Sequence, residues 1–566
     1  MGVSRRAFVK GTFATSTLAA LPARLRGEGQ TARPRPAPQS VPQPVPPQVN
    51  PVMQDSLTLK KSMDLSGEHL LVALNPNENY LPYFIMKIGK DYKASYEFTW
   101  PAHNIGRWLD AMLRLENATG FAIPARLEAA MLANLRLFFD NPDNLCLPPP
   151  QYAQLSEPPN LLEIHSMRES LLALNALARF RGNRWALDQA HRMMETVWRV
   201  SRANGDWDYD GLEAVRHMKR PPRMDPTQSH GRLIEALVWF YETSGDPLAL
   251  KLANRFAEYH LENTTSADGS LNLASKADHT HSYLGTLRGL VLFGELTNQR
   301  QYIERVASTY RTYVLGRLIK PSGVIPHGMQ EEGNAEPASA GDVVQLGLWL
   351  GRHGYTEFLE DAERLVRCRL LPSQIVQRPG LKPAIQDGSD AHADLDARVV
   401  GGYAGMHEPY WGRNPATDIT CAVLHTLIDV YQHVAVSSPL GMVVNFHFDY
   451  EDDKIKIICK RGESAQITIL PKIRQNVAIR IPAWTTPDSV QLSVNGEAFK
   501  ETRVGSFVYI PRDVFPAPIL VQYDLPVRKE VERIAGVDYT LTWKGNGIIG
   551  ISPNSDFLPL YPNAAN

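Results

Sequence analysis

The sequence predicts a mainly α-helical (α/α)6 toroid followed by a C-terminal antiparallel β-sandwich. Between residues 105 and 433, apolar residues recur at the spacing of a helix face, separated by short turns rich in Gly, Asn, Asp or Pro. A turn phrase that ends one helix and opens the next recurs at residues 182, 245, 298 and 354, roughly every 50–65 residues. Each interval holds two helices and one long loop, which favours helical hairpins that close on themselves over an open solenoid.

The helical region comes first in chain order. Apolar periodicity and turn residues predict eleven helices, at residues 105–118, 125–139, 161–179, 185–201, 231–243, 247–261, 283–296, 301–317, 342–351, 357–370 and 417–434. Six helical hairpins contain twelve helices, so the eleven predicted helices account for all but one of them.

The strands follow. Residues 479–481 alternate between apolar and polar side chains and stop at Pro482 and Trp484, as a half-buried strand would. Asn495-Gly496 lies between two alternating segments and is a strong hairpin signal, because both residues tolerate a positive φ. These patterns predict that the C-terminal part is the β-sandwich.

The N-terminal segments predict export. Arg5 and Arg6 precede a mildly apolar stretch at 13–21, as in a twin-arginine signal peptide, although an accidental arginine pair in a tail is the alternative. The next segment is rich in Pro and favours an extended spacer. The predicted divisions are a signal peptide at 1–27, a Pro-rich linker at 28–55, a helical catalytic domain at 56–437 and a β-sandwich domain at 438–566, in a periplasmic or extracellular protein.

Composition argues against several classes of protein. A net charge of −1 gives no sign of the basic surface of nucleic-acid-binding domains. Four cysteines in 566 residues are no disulfide framework, and no apolar run reaches the roughly 18 residues of a membrane span. We therefore expect no nucleic-acid partner and no membrane association after signal cleavage, and the oligomeric state stays open.

Long polar loops predict an oligosaccharide or polysaccharide as the partner. The loops at 206–225, 264–281, 319–341 and 376–418 combine aromatic, charged and histidine side chains, and long ordered loops in a compact domain are usually functional. Aromatic side chains would contact the apolar faces of a sugar; equally, they would only fill the opening of the helical toroid. The substrate-binding candidates are Trp207, His230, Arg232, Asp278, His279, His281, His407, Tyr410 and Trp411.

Several short strings resemble one enzyme family. They are IRIPAW at 479–484, SVNGE at 493–497, GSFVYI at 505–510, YDLPVR at 523–528, YTLTWKGN at 539–546 and, upstream, GRWLDA at 106–111. Together they are similar to the glycoside hydrolase family 127 β-L-arabinofuranosidases and their relatives, over most of the chain after about residue 60. The resemblance implies a helical toroid with a β-sandwich and action on a glycosidic bond.

The resemblance also implies a metal site that this chain lacks in part. Family members carry a Glu-x-Cys pair and a later Cys-Cys pair as metal ligands. Here Glu336 is kept, but Ala338 stands in place of the cysteine, and Cys421 is the nearest match to the second pair. Because a tetrahedral zinc site needs four donors, we expect no zinc–cysteine nucleophile and no cofactor. The His279-x-His281 spacing is a weak metal signal by itself.

Carboxylates are therefore the expected catalytic groups. Glycoside hydrolysis needs one acid and one base or nucleophile. The carboxylates in or beside the long loops are Glu331, Glu332, Glu336, Asp342, Asp387, Asp390, Glu408 and Asp418. The catalytic candidates are Glu336, Glu408, Asp342 and Cys421. For two of these another role stays open, since Asp342 would also serve as a helix cap and Cys421 as a buried core thiol.

Three functions stay open at this point. The first is an exported glycoside hydrolase that uses carboxylates. The second is a polysaccharide lyase, in which Arg232 or a histidine would neutralise a uronate and Tyr410, His281 or His230 would take the proton. The third is a glycan-binding protein without catalysis. A lyase leaves an unsaturated product, which distinguishes it from a hydrolase.

Overall fold

The structure is a computed structural model. It describes residues 58–88, 92–96, 101–155, 166–216, 225–272, 277–380, 387–404, 409–410, 412, 414–500, 502–555 and 557–564. The predicted signal peptide, the whole of the predicted linker and residues 56 and 57 lie outside the described residues.

Six long helices form a closed inner ring. In chain order they are α2 (Pro101–Thr119), α4 (Ser166–Arg181), α7 (Arg232–Ser244), α9 (Thr280–Thr297), α11 (Pro337–Arg352) and α14 (Thr417–Gln432). Each packs against the next, and α14 packs against α2, so the ring is complete. In α9 and α11 almost every residue is buried, as expected for helices enclosed on all sides.

Six further helices form an outer layer. They are α1 (Leu59–Val72), α3 (Ala125–Phe138), α5 (Arg184–Arg199), α8 (Pro247–Asn263), α10 (Arg300–Thr309) and α12 (Phe358–Leu365). Five of them pair with the inner helix that precedes them, whereas α1 pairs with α14 from the other end of the helical region. The predicted (α/α)6 toroid is confirmed.

The recurring turn phrases are the tips of these hairpins. Asn183 and Asp246 cap α5 and α8 by accepting hydrogen bonds from the backbone N–H groups of Ala186 and Leu248. Gly245 ends α7 with a φ of 69°, which a glycine adopts at little cost. The turn residues therefore set the helix boundaries.

The structure differs from the predicted helices at several places. Three helices were not predicted: α1, the short α6 (Tyr209–Arg216) and α13 (Leu395–Arg398), which is a single turn. In addition, α11 begins at Pro337 and not at Asp342, because proline is well suited to the first position of a helix. Asp342 therefore lies inside the helix, and its predicted alternative as a cap is wrong.

The C-terminal part contains most of the strands. Four short strands, β1 (Leu74–Asn75), β2 (Leu81–Pro82), β3 (Ile85–Lys87) and β4 (Lys93–Ser95), lie in the helical region. The other strands are β5 (Ala435–Ser438), β6 (Gly441–Val444), β7 (Tyr450–Glu451), β8 (Ile455–Arg461), β9 (Ser464–Pro471), β10 (Val477–Arg480), β11 (Gln491–Val494), β12 (Glu497–Ala498), β13 (Thr502–Val504), β14 (Phe507–Ile510), β15 (Ile519–Asp524), β16 (Val527–Ile534), β17 (Val537–Lys544) and β18 (Gly547–Ser552).

These strands form the predicted sandwich. One sheet has the order β13-β14-β10-β6-β5 and the other the order β12-β11-β15-β9-β8-β7, followed by a third sheet of β16-β17-β18. The hairpin predicted from Asn495-Gly496 joins β11 to β12, with φ values of 53° and 83°. The sandwich departs from the antiparallel prediction in one pair, because β6 and β10 run parallel.

A buried ion cluster joins the helices to the sandwich. Arg480 of β10 donates to Glu360 at 2.8 Å and to Glu363, both on α12, and its side chain is fully enclosed. Arg367 also donates to Glu363, at 3.0 Å. These pairs position the first sheet against the ring. Among the described residues, no helix has the length and apolarity required to cross a bilayer.

Candidate active site at the mouth of the helical ring

The inner helices begin at one end of the ring, which we call the mouth. His103, Glu169, His281 and Asp418 lie in the first turns of α2, α4, α9 and α14, and Glu336 immediately precedes α11. His103 brings the starts of α2, α4 and α14 to one place, because it lies 3.6 Å from Glu169 and 3.8 Å from Asp418. Helix N-termini carry unpaired N–H groups and a partial positive charge, so this end favours anionic and hydroxyl-rich partners.

The loop before α11 brings His327 beside Glu336. Backbone bridges join Pro326 to Ala335 and His279 to Gly328. The N–H of Thr280 donates to the carbonyl oxygen of His327 at 2.9 Å. The loop is thereby fixed against the start of α9, and three polar side chains from distant positions meet: His279, His327 and Glu336.

Glu336 is buried between the two histidines. His327 Nδ1 donates to Glu336 Oε2 at 3.0 Å, and His279 Nε2 lies 3.8 Å from the same oxygen. Burial alone would raise the pKa of Glu336, but the neighbouring His279 and the hydrogen-bonded His327 hold it well below its usual range. Glu336 is therefore an ionised carboxylate.

Asp418 faces the same region with a different environment. Its side chain is 15 % exposed, and its Oδ1 accepts the backbone N–H of Ile419 at 2.8 Å. Burial raises the pKa of Asp418 to about 6, Arg107 opposes that rise, and the Glu336 charge adds to it. Asp418 therefore keeps its proton to a higher pH than an ordinary aspartate.

A network of buried charges adjoins the mouth. Arg107 Nη2 donates to His281 Nε2 at 2.9 Å, so His281 carries its proton on Nδ1 and donates it to Asp342 Oδ2 at 2.5 Å. Asp342 also pairs with Arg288 at 3.2 Å, and burial raises its pKa to about 6. The predicted candidates His281 and Asp342 therefore bond each other, and both are buried.

Arg232 belongs to the same network. Its Nη2 donates to Glu169 Oε1 at 2.8 Å, and Arg168 donates to the same oxygen at 2.8 Å. Arg232 is 1 % exposed. The expectation that Arg232 binds a substrate carboxylate is not supported, because Glu169 already occupies the guanidinium.

Three other predicted residues lie in the core. His230 is fully buried and shares a 2.8 Å hydrogen bond with His260, and Trp207 packs edge-on against its ring. Tyr410 is fully buried against the third sheet, where it donates to Ser322 at 3.0 Å. None of the three has an exposed surface for a sugar, so the structure corrects the substrate-binding prediction for them in favour of packing.

Of the remaining predicted residues, some are accessible and some are not described. Asp278 is exposed at the rim, where its N–H donates to Asp225 Oδ2 at 2.9 Å. His407, Glu408 and Trp411 lie outside the described residues.

The thiolate zinc set does not fit this site. Ala338 offers no donor, and Cys421 is 2 % exposed in the second turn of α14, where burial raises the pKa of its thiol. A neutral buried thiol is a poor nucleophile. Within the described part of the chain, one group of His, Cys, Asp and Glu residues has three donor atoms all within 4.8 Å of one another, and it is His279, His327 and Glu336.

Two residues of this site, His327 and Asp418, were not among the predicted site residues. His327 lies nine residues before Glu336 in a loop with no metal-ligand spacing, so its position follows only from the bridges to residues 279 and 335. Asp418 was one of eight loop carboxylates, and its place in the first turn of the last inner helix was the signal that could have raised it.

Comparisons with solved structures report the same fold in glycoside hydrolases. A family 127 β-L-arabinofuranosidase from Geobacillus stearothermophilus T6 is 15% identical, with 80% of this chain and 77% of that chain covered and a TM-score of 0.52. A second family 127 β-arabinofuranosidase is 13% identical, with 89% and 84% covered and a TM-score of 0.54. No protein-family model and no curated protein matches the sequence. The chain therefore has a family-127-like fold, as the resemblance predicted.

Proposed function

We propose that this chain is a glycoside hydrolase that cleaves an oligosaccharide or polysaccharide at the mouth of the helical ring. The observation that carries the proposal is the pair of carboxyl groups at the starts of two neighbouring inner helices. Asp418 is partly exposed and its pKa is raised to about 6 by burial, while Glu336 is buried beside two histidines. Glycosidases need two carboxyl groups in such contrasting environments.

In this proposal Asp418 is the general acid. Its proton would pass to the glycosidic oxygen as the bond to the anomeric carbon breaks, so that the leaving sugar departs as a neutral alcohol. In this proposal His279, His327 and Glu336 would hold the water that completes hydrolysis. His279 and His327 are partly exposed, with 16 % and 26 % of their side chains accessible, so a sugar hydroxyl can reach them.

The test compares two aspartates. We expect Asp418→Asn to lower the hydrolysis rate by about 10²–10⁴, because the amide cannot donate the proton. Asp387→Asn is the matched control, since Asp387 is an exposed loop carboxylate bonded to His392. Equal rates for Asp418→Asn and the native protein, across a panel of plant and algal glycans, would reject Asp418 as the acid.

The same panel addresses the other two functions. The lyase alternative relied on Tyr410, His281, His230 and Arg232, which are all buried and bonded within the protein. Release of reducing ends without ultraviolet-absorbing products supports hydrolysis. Glycan binding with no product of either kind would favour the non-catalytic alternative.

Export by the twin-arginine pathway is part of the proposal and has a separate test. Mass spectrometry of the mature protein from the native host should find the N-terminus near residue 28. An N-terminus at Met1 or Gly2 in the cytoplasmic fraction would reject export.

A further inference from the structure

Three donor atoms at the mouth are spaced as a metal ion requires. Glu336 Oε2 lies 3.0 Å from His327 Nδ1 and 3.8 Å from His279 Nε2, and all three donor atoms lie within 4.8 Å of one another. In a tetrahedral zinc site with bonds of about 2.0–2.2 Å, donor atoms are separated by roughly 3.4 Å. The two measured separations bracket that value, so an ion can be accommodated with small side-chain movements.

The protein already orients these donors. Ser282 Oγ and His279 Nδ1 share a 2.8 Å hydrogen bond, which leaves Nε2 of that ring directed towards Glu336. The backbone bridge between His279 and Gly328 sets the distance between the two histidines, whose ring centres are 4.7 Å apart. Hydrogen bonds that fix a histidine ring in this way are a regular feature of metal sites.

We propose that His279, His327 and Glu336 bind one divalent transition-metal ion, with Zn²⁺ as the ion that the donors favour. Two imidazoles and one carboxylate form the donor set of open zinc sites, in which a fourth position stays available to water or substrate. Two imidazole donors disfavour Ca²⁺ and Mg²⁺, which prefer oxygen ligands. The partial exposure of both histidines leaves room for that fourth ligand.

This donor set replaces the thiolates that the family resemblance implies. It shares only Glu336 with the Glu-x-Cys and Cys-Cys pattern, and the two histidines come from the start of α9 and from the loop before α11. The proposal therefore departs from the sequence-based expectation of a chain without zinc. The inference concerns the same mouth as the proposed function, and its test must therefore be independent of hydrolysis.

The experiment measures metal binding by the full chain without any glycan. Chelator-treated protein is titrated with Zn²⁺ by calorimetry and with Co²⁺ by visible absorption, which reports the coordination geometry. We expect one ion per chain and a tetrahedral or five-coordinate Co²⁺ spectrum.

Single-ligand variants and a matched control complete the design. We expect His279→Ala and His327→Ala to weaken binding by at least about 100-fold, since changes even outside the ligand shell cost 10–100-fold. The control is His191→Ala, because His191 also lies near two carboxylates, Asp246 at 2.7 Å and Glu195 at 3.7 Å, but on the exposed surface. The Zn²⁺ affinity of His191→Ala should equal that of the native protein. Circular dichroism verifies folding, and His327→Gln replaces the alanine variant if the latter is unfolded.

The outcomes separate the two proposals. If the native protein binds no Zn²⁺, or if both histidine variants bind it unchanged, the metal site is rejected, and His327 and Glu336 form only a hydrogen-bonded pair. If one ion binds as expected but no glycan is hydrolysed, the metal site stands and the proposed function fails. If metal-free protein still hydrolyses glycans at the full rate, the proposed hydrolase function stands, and a role for zinc in hydrolysis is rejected.

Discussion

The ion cluster between α12 and β10 predicts a loss of stability in acid that one substitution can isolate. Glu363 is fully buried and accepts hydrogen bonds from Arg480 and Arg367. Burial alone would raise its pKa, but the two arginines dominate and lower it to about 2, against 4.5 for a free glutamate. The perturbation is Glu363→Gln, which keeps the shape of the side chain and removes the charge.

The magnitude follows from this difference in pKa. A group whose folded pKa lies below its unfolded pKa stabilises the fold above the unfolded value, and the stabilisation is lost as the pH falls through the folded value. The shift of roughly 2.5 pH units corresponds to about 3 kcal/mol at neutral pH, since each unit is worth about 1.4 kcal/mol. By pH 3 about half of this contribution should be gone.

The assay is urea unfolding of native protein and Glu363→Gln at several values between pH 7 and pH 3. We expect the difference in the free energy of unfolding to be about 3 kcal/mol at pH 7 and to shrink steadily below pH 4.5. Glu360→Gln is the matched control: Glu360 bonds the same Arg480, but burial raises its pKa, so its difference should not shrink in acid. If the difference in the free energy of unfolding between the native protein and Glu363→Gln is the same at pH 7 and pH 3, the charge explanation is refuted and the effect is due to packing.

Three further predictions follow from the ring and its mouth. Gly106→Ala should lower the free energy of unfolding by about 1–3 kcal/mol in a thermal unfolding assay, because a Cβ there would collide with the backbone of Glu169. Gly462→Ala, which has open space around it, is the control in that assay. Cys421→Ala should keep most of the hydrolysis rate, because the thiol is buried and neutral, and a collapse of the rate would return the chemistry to a thiol. Glu336→Gln should keep the native circular dichroism but lose both Zn²⁺ binding in calorimetry and glycan hydrolysis, and retention of both would assign Glu336 a structural role only.

The fold was predictable because its signals are local. Helix periodicity and turn residues such as Gly245 and Asp246 are read from a few neighbouring positions, and they gave both the hairpins and the toroid. The Asn495-Gly496 turn fixed one strand pair in the same way. The predicted start of α11 is five residues too late, because the loop predicted at 319–341 includes Pro337, although proline at a first helical position is favourable.

The site was less predictable because burial is not local. His230 and Trp207 have the residue types of a sugar-binding loop, but the same types also form packed clusters, and only the fold reveals that they are enclosed. His327 offered no spacing signal, since its partner His279 lies 48 positions earlier and meets it through a backbone bridge to Gly328. The sequence offered eight loop carboxylates as candidates, but the difference in environment between Asp418 and Glu336 depends on their neighbours in space.

The pairing of α1 with α14 affects how the chain can acquire its structure during synthesis. Ser62 of α1 donates to Gln374, a partner 312 positions later, and His69 contacts the Arg398 carbonyl 329 positions later. Contacts of such high sequence separation form late, because the entropy of closing a long loop must be met first. A ribosome-bound chain exposes one apolar face of α1 until Thr417–Gln432 has emerged. Chaperone capture of nascent chains should therefore persist until that helix is complete and then fall sharply.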